Sequence, residues 1–249
     1  MIYKKSAGEL ASMRKGGVIL AETLNRLEEA LRPGISTLEL DRLAEDFITS
    51  AGGTPSFKGY RGFPAAICAS PNDVIVHGIP GPLELEEGDI ISLDVGVFYD
   101  GLHVDSAWTF PIGEVETQAR ELLEATEGSL EAAIGQCEPG KRLGDLGGAV
   151  QHVAEAAGFS VVREYVGHGI GRSLHEDPQI PNYGPPGRRE LLAPGMTLAI
   201  EPMVNAKGAA PEALDDGWTV VTADGGLSAH FEHTVAITPE GREVLTRRR

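Results

Sequence analysis

Residues 91–110 read Ile-Ser-Leu-Asp-Val-Gly-Val-Phe-Tyr-Asp-Gly-Leu-His-Val-Asp-Ser-Ala-Trp-Thr-Phe. Apolar and polar positions alternate on both sides of Asp100-Gly101, a dipeptide suited to a two-residue hairpin turn because both central positions need positive φ. With that loop, Tyr99 pairs with Leu102, Asp105 lies opposite Gly96, and Asp94 is its diagonal neighbour on the same face. Diagonal neighbours sit roughly 7–8 Å apart, so two carboxylate tips can converge on one or two cations. Leu93, Val95, Val97, Leu102, Val104 and Trp108 occupy the other face and read as core. A three-residue loop would shift this register. Two acids in an isolated hairpin are more often solvated than functional, so the rest of the chain must decide.

The 249 residues allow one large domain with a sizeable core, or two small ones. Apolar residues make up 41% and charged residues 23%, ordinary for a globular enzyme. No apolar run is long enough for a transmembrane helix, and the N-terminus lacks the apolar segment of a signal peptide. The two cysteines, Cys68 and Cys137, do not suggest a disulfide framework, so a reducing cytoplasm is the expected setting. A net charge of −16 argues against a nucleic-acid surface, which needs clustered cations. Lys4-Lys5 and Arg247-Arg248-Arg249 are small basic spots. Solvated termini are their plain reading, and contact with ribosomal RNA is the sharper one.

Ser6-Ala-Gly-Glu9 and Ser36-Thr-Leu-Glu39 both have the form of a capping box. The first predicts an amphipathic helix ending near Arg32-Pro33-Gly34, with Ala11, Met13, Val18, Leu20, Leu24, Leu27 and Leu31 inward. The second predicts a helix closing at Gly52-Gly53, with Leu40, Leu43, Ala44, Phe47 and Ile48 inward. The segment from Arg32-Pro33-Gly34 to Gly52 recurs, at an offset of 106, as Glu138-Pro139-Gly140 to Gly158. A long helix at about 117–136 precedes the second copy, as one precedes the first. The chain therefore reads as one catalytic domain over 1–249, with halves of about 1–113 and 114–249. Each half runs helix, helix, strands, and their strands are expected to share one sheet covered by the helices, an α+β arrangement. Ligands would collect where the halves meet.

Residues 54–80 are rich in glycine and aromatics and read as a loop entering a short strand. His77 follows in Val-His-Gly-Ile-Pro, where a structural role is the commoner outcome. In Gly167-His168-Gly169 the flanking glycines let the backbone bend closely around whatever the imidazole binds. His175 lies seven residues further on. Thr197-Leu-Ala-Ile200 runs as an apolar strand into Glu201, and a carboxylate there is costly to bury unpartnered. Glu232 sits in the middle of a strand read over 228–237, on the face of His230 and Thr234 and away from Phe231, His233 and Val235. Three separate β segments thus carry acids at awkward places. Four carboxylates and one imidazole, Asp94, Asp105, His168, Glu201 and Glu232, are the ligand count of a dinuclear divalent centre. Oxygen-rich ligation with one histidine suits Mn, Fe, Co or Zn, and the absence of a cysteine ligand argues against a structural zinc.

The same five residues, in this order, resemble the ligands of the pita-bread (creatinase/aminopeptidase) metallopeptidases. Ile-Cys-Ala-Ser-Pro-Asn-Asp, Val-His-Gly-Ile-Pro, Gly-His-Gly-Ile-Gly, Ile-Glu-Pro-Met and Phe-Glu-His-Thr are similar to the motifs of the type I methionine aminopeptidases. The intervals of 33 residues from His168 to Glu201 and 31 from Glu201 to Glu232 leave no room for the insertion of type II enzymes. The resemblance implies a fold of two pseudo-symmetric halves sharing a curved antiparallel sheet. It implies that Asp94 chelates one ion, Asp105 and Glu232 bridge two, and His168 and Glu201 hold the second. Glu201 would also move protons, and His77 and His175 would hydrogen-bond substrate or tetrahedral intermediate. Phe57, Tyr60, Phe63, Cys68, Leu174 and Trp218 would form the methionine pocket. Backbone carbonyls of Asn72, Val74 and Ser228 would hold a monovalent cation. The implied substrates are peptides and nascent chains with N-terminal Met before a small residue, acted on by a monomer with transient ribosome contact, no membrane and no sequence-specific nucleic acid. Phe57, Gly96, Val104 and Leu174 depart from the usual cysteine, threonine, small residue and phenylalanine, which leaves pocket shape open. A proline-directed peptidase and a metal-free binding module of the same fold are the rival readings.

Overall fold

The computed structural model describes residues 1–248, so Arg249 lies outside the described residues. The first half contains helices α1 (Ala7–Ala30) and α2 (Thr37–Ser50) and strands β1 (Thr54–Pro55), β2 (Ile67–Pro71), β3 (Val74–Val76), β4 (Ile90–Tyr99) and β5 (Leu102–Pro111). The second opens with α3 (Thr117–Gly135) and α4 (Leu143–Ala156). Strands β6 (Ser160–Val161), β7 (Gly167–Gly169), β8 (Glu176–Ile180), β9 (Thr197–Ile200) and β10 (Met203–Asn205) follow. The chain closes with β11 (Pro211–Ala213), β12 (Val220–Thr222), β13 (Ser228–His230), β14 (His233–Thr238) and β15 (Gly241–Val244).

Both serine capping boxes form, with Ser6 and Ser36 accepting from the backbone of Glu9 and Glu39 while each glutamate reaches back to its cap. Such caps contribute about 1 kcal/mol each. The inward face of α1 differs from the expected one. Ala11 is exposed and Val18 is 65% exposed, while burial runs through Met13, Gly16, Gly17, Leu20, Leu24 and Leu27. The seam passes through two glycines because other parts of the chain press on them. A β-carbon on Gly17 would overlap the carbonyl of Leu245, and one on Gly16 would meet Val104 at 3.3 Å.

The Asp100-Gly101 turn takes positive φ at both residues, and the hairpin has the register read from the sequence, with Gly96 opposite Asp105 and Asp94 opposite Ala107. β2 and β1 also pair directly with β4, β2 along Ile91–Val95 and β1 at Val97 and Phe98. The central strand of the second half is β9, flanked by β7 and β14, with β8 and β15 outside them. Two large hydrophobic cores result, one between α1, α2 and the hairpin, the other between α3, α4 and the sheet around β9, and a small third cluster gathers Ile75, Val76, Val162, Met203 and Val220.

The repeat is visible in detail. Helices α2 and α4 have the same length, and the Gly34 N–H to Leu85 carbonyl bond of the first half corresponds to Gly140 N–H to Leu192 carbonyl in the second. The halves meet at two places: β3 pairs with β12, continued by Ser228 N–H donating to the Asn72 carbonyl, and β5 lies against β13 and β14. At the second place hydroxyl side chains surround a backbone bond from Glu232 N–H to the Ala107 carbonyl at 2.8 Å. Around it, Ser106 Oγ donates to the Glu232 carbonyl, and Thr234 Oγ1 donates to the Asp105 carbonyl while accepting from Asp105 N–H. Thr109 Oγ1 is bonded in the same two-sided way to the backbone of His230. The expected continuous strand over 228–237 is interrupted at Phe231-Glu232, where those bonds replace the ladder.

In the basic spots Lys4 is exposed, while Lys5, Arg247 and Arg248 are engaged internally. The Lys5 ammonium pairs with Glu176 at 2.5 Å, the two side chains being only 2% and 5% exposed. The Arg248 guanidinium lies over the rings of Trp108 and Phe110, and Arg247 pairs with Glu131. Among the described residues no helix is long and apolar enough to cross a membrane.

Candidate functional site

Five ligand candidates from five different stretches line one pocket of about 160 Å³ where the halves meet. The hairpin supplies Asp94 and Asp105, whose carboxyls lie against each other. His168 comes from β7, Glu201 from the residue just past β9, and Glu232 from the break between β13 and β14. One ligand atom from each of Asp105, His168 and Glu232 lies within 4.8 Å of the others. Glu201 Oε1 is 3.4 Å from His168 Nε2.

The acids are poorly satisfied as they stand. Asp94 Oδ1, Asp105 Oδ1 and Glu232 Oε1 are buried without a hydrogen-bond partner. Burial pushes Asp94 from its ordinary value up to about 7. Burial, and then the neighbouring carboxyls, hold Asp105, Glu201 and Glu232 well above the usual carboxylate range. A solvated surface would do none of this. Packed acids with orphaned oxygens are the arrangement that a multivalent cation relieves, so the residues present fit divalent metal ions.

The imidazoles are prepared for separate tasks. His168 Nδ1 bonds the Gly169 carbonyl at 2.8 Å, which fixes the proton there and turns the Nε2 lone pair into the site. Burial lowers its pKa to about 4, keeping it neutral as a ligand must be. The flanking glycines act differently from the sequence reading. β-carbons on Gly167 and Gly169 would overlap the carbonyls of Ala199 and Asp177, so these positions let neighbouring strands approach β7 rather than let the backbone wrap a ligand. His175 stacks on Tyr60 and bonds its hydroxyl through Nδ1 at 3.0 Å, with its ring centroid 4.2 Å from that of His168. His77 has φ of 60° and sits edge-on to Trp218 and Tyr165, its pKa lowered by burial.

Phe57, Tyr60, Phe63, Cys68, Leu174 and Trp218 all line the pocket, as do His77 and His175. Phe63 meets Trp218 edge to face at 5.0 Å, and Cys68 pairs directly across from Asp94. Two of the departures are one feature. A β-carbon on Gly96 would lie 2.7 Å from Phe57 Cε1 and 2.8 Å from Ser56 Cβ, so the ring occupies the space that a larger residue 96 would need. Val104 instead faces α1 and leaves the pocket untouched. Ser228 N–H donates to the Asn72 carbonyl at 2.8 Å, which puts Asn72 beside Ser228, and Val74 begins β3 two residues on.

Two residues escaped the sequence reading. Arg61 lines the pocket mouth from a turn with φ of 49°, its guanidinium 5.4 Å from the Tyr60 ring. His230, noted only as sharing a face with Glu232, has its Nε2 3.8 Å from Glu201 Oε2. Its position two residues before a candidate ligand, in an alternating segment, was the available signal.

A profile of metallopeptidase family M24 matches residues 11–239. The chain is 55% identical to a methionine aminopeptidase of Clostridium perfringens over 246 residues, covering 99% of each. It is 54% identical to methionine aminopeptidase 1 of Bacillus subtilis over 247 residues, covering 99% of this chain and 100% of that one. The crystal structure of methionine aminopeptidase from Rickettsia prowazekii superposes with a TM-score of 0.97 at 40% identity, covering 99% of this chain and 100% of that one.

Proposed function

This chain belongs to metallopeptidase family M24, and from that premise we infer that it is a metal-dependent aminopeptidase removing N-terminal methionine from peptides and nascent proteins whose second residue is small. The observation that carries the reading is the convergence of Asp94, Asp105, His168, Glu201 and Glu232 on a buried pocket otherwise lined by aromatic, apolar and thiol groups.

The donor set supports two divalent cations drawn from Co, Mn, Fe or Zn. Asp94, Asp105, His168, Glu201 and Glu232 would hold them. Bound there, such ions supply Lewis acidity, activating water and polarising the scissile carbonyl. Glu201 takes the proton of the attacking water and passes it to the leaving amine. With the Tyr60 hydroxyl donating to Nδ1, His175 carries its proton on Nε2, where it can donate to the oxygen that gains negative charge; burial, and then the neighbouring His168 and Arg61, lower its pKa to about 3, so it acts as a neutral donor. His77 binds substrate from the Trp218 side. Phe57, Tyr60, Phe63, Cys68, Leu174 and Trp218 receive the methionine side chain, whose polarizable sulfur suits aromatic and thiol surroundings.

We place the enzyme in the cytoplasm as a monomer working on nascent chains in transient contact with the ribosome. Its two free, buried cysteines support a reducing setting. The carbonyls of Asn72, Val74 and Ser228 are the proposed monovalent-cation ligands.

The test compares turnover of Met-Ala-Ser with an Ala-Pro substrate after chelation and re-addition of Co, Mn, Fe or Zn. Met-Ala-Ser is expected to be the preferred substrate, and only with metal. Preference for Ala-Pro, or fewer than one bound equivalent of metal after reconstitution, would point to the rival readings. Asp105→Ala, His168→Ala and Glu201→Ala are each expected to abolish hydrolysis with the fold retained, and normal turnover in one of them removes that residue from the site.

A further inference from the structure

His230 has no part in the chemistry described above, yet the fold holds it firmly. Its N–H donates to Thr109 Oγ1 at 2.9 Å, and the same hydroxyl donates to its carbonyl at 2.8 Å. Across the sheet it pairs with Met203, two residues beyond Glu201. The residue is 2% exposed, and its Nε2 is buried without a hydrogen-bond partner. A buried polar nitrogen left unpaired costs roughly 1–3 kcal/mol, so its surroundings should offer a partner in the working state. Glu201 is in place to be that partner. One of its oxygens lies 3.4 Å from His168 Nε2 and the other 3.8 Å from His230 Nε2. The two imidazoles present different faces to this carboxylate. His168 has committed its N–H to the Gly169 carbonyl and offers a lone pair. A second lone pair aimed at Glu201 Oε2 would be repulsive, which favours a proton on His230 Nε2.

We propose that His230 is a positioning residue that donates its Nε2–H to Glu201 Oε2, a gap that a small rotation of either side chain closes. It thereby fixes the rotation of the carboxylate and leaves Oε1 as the oxygen on the His168 side. The proposal rests on the reading of Glu201 as the group that moves the proton. His230 itself is not among the residues that line the pocket.

The test compares His230→Leu, which removes the donor, with His230→Gln, whose amide N–H can replace it. With Met-Ala-Ser as substrate and saturating cobalt, His230→Leu is expected to lose about ten-fold or more in kcat, with KM and the number of bound cobalt equivalents nearly unchanged. His230→Gln is expected to recover most of that loss. Wild-type kcat in His230→Leu, or equal impairment of both variants, overturns the proposal. Nitrogen-15 NMR of the zinc-loaded native enzyme is independent of how the variants fold. It is expected to show the Nε2-protonated tautomer, and a proton on Nδ1 alone overturns the proposal. Glu201→Gln is assayed in parallel. Retention of kcat in that variant refutes the premise about Glu201, whereas its loss beside an unaffected His230→Leu refutes only the role given to His230.

Discussion

Stripping the cations from this site is expected to make stability fall as pH rises above 6.5. A carboxyl whose folded pKa is raised keeps a proton that the unfolded chain has already released, so its contribution to stability is lost between the ordinary value and the folded one. Asp94 is lifted to about 7, and Asp105, Glu201 and Glu232 are held well above their usual range by burial and mutual repulsion. The buried histidines work in the opposite direction. Burial lowers His168 to about 4 and His230 and His233 to about 3, so they add stability as pH rises, but only below about 6.5, where the unfolded imidazoles titrate. From pH 6.5 to 8 the carboxyls therefore dominate. Titration of Asp94 across that window costs about 1 kcal/mol, and the other three carboxyls, held above their ordinary range, add losses of the same sign. For a chain of this size 1 kcal/mol moves Tm by about 2–4 °C. Thermal unfolding of chelated and manganese-reloaded protein at pH 6.5, 7.2 and 8 would measure the effect. Chelated protein is expected to lose several degrees across the series and reloaded protein to resist the loss. A flat or rising Tm in chelated protein, or the same fall in both samples, would refute the reasoning.

Gly17→Ala is expected to cost about 3 kcal/mol, because its β-carbon would overlap the Leu245 carbonyl, whereas Gly16→Ala meets side-chain atoms of Val104 and Tyr99 at 3.3 and 3.4 Å and should cost about 1 kcal/mol; urea unfolding of the two variants checks the ranking. Gly96→Ala should be markedly less harmful in a Phe57→Ala background, with a coupling of about 1 kcal/mol or more in a double-mutant cycle; additive effects would show that the ring does not limit residue 96. His175→Ala is expected to lower kcat about a hundred-fold while calorimetric metal affinity changes little, and an unchanged kcat would remove it from the mechanism.

What could be read from the sequence was whatever local chemistry enforces. Asp100-Gly101 set the hairpin register because few other residue pairs accept its backbone, and that register alone placed Asp94 beside Asp105. The serine–glutamate boxes marked two helix starts for the same reason. The pocket residues and candidate ligands were legible through motifs, and all of those named for the pocket line it. Features imposed from a distance were not legible. Hydrophobic periodicity put Val18 inward because it has no means of knowing that Leu245 presses on Gly17. The break at Phe231-Glu232 depends on hydroxyls of Ser106, Thr109 and Thr234 replacing ladder bonds across the seam, which alternation within one segment does not record. His230 was overlooked because what singles it out is an unpaired nitrogen facing Glu201, a fact of three dimensions.

The buried pair of Lys5 and Glu176 has a consequence for how a new copy of this enzyme matures. Its partners are 171 positions apart, and the carboxylate immediately follows His175 and, one residue earlier, Leu174 in the pocket wall. During synthesis the ammonium must stay hydrated until its partner, 171 positions later, has been translated, at roughly 5–20 residues per second. Only when the leading end of the chain folds back is that wall braced. A copy still being made therefore has no finished cavity with which to trim its neighbours.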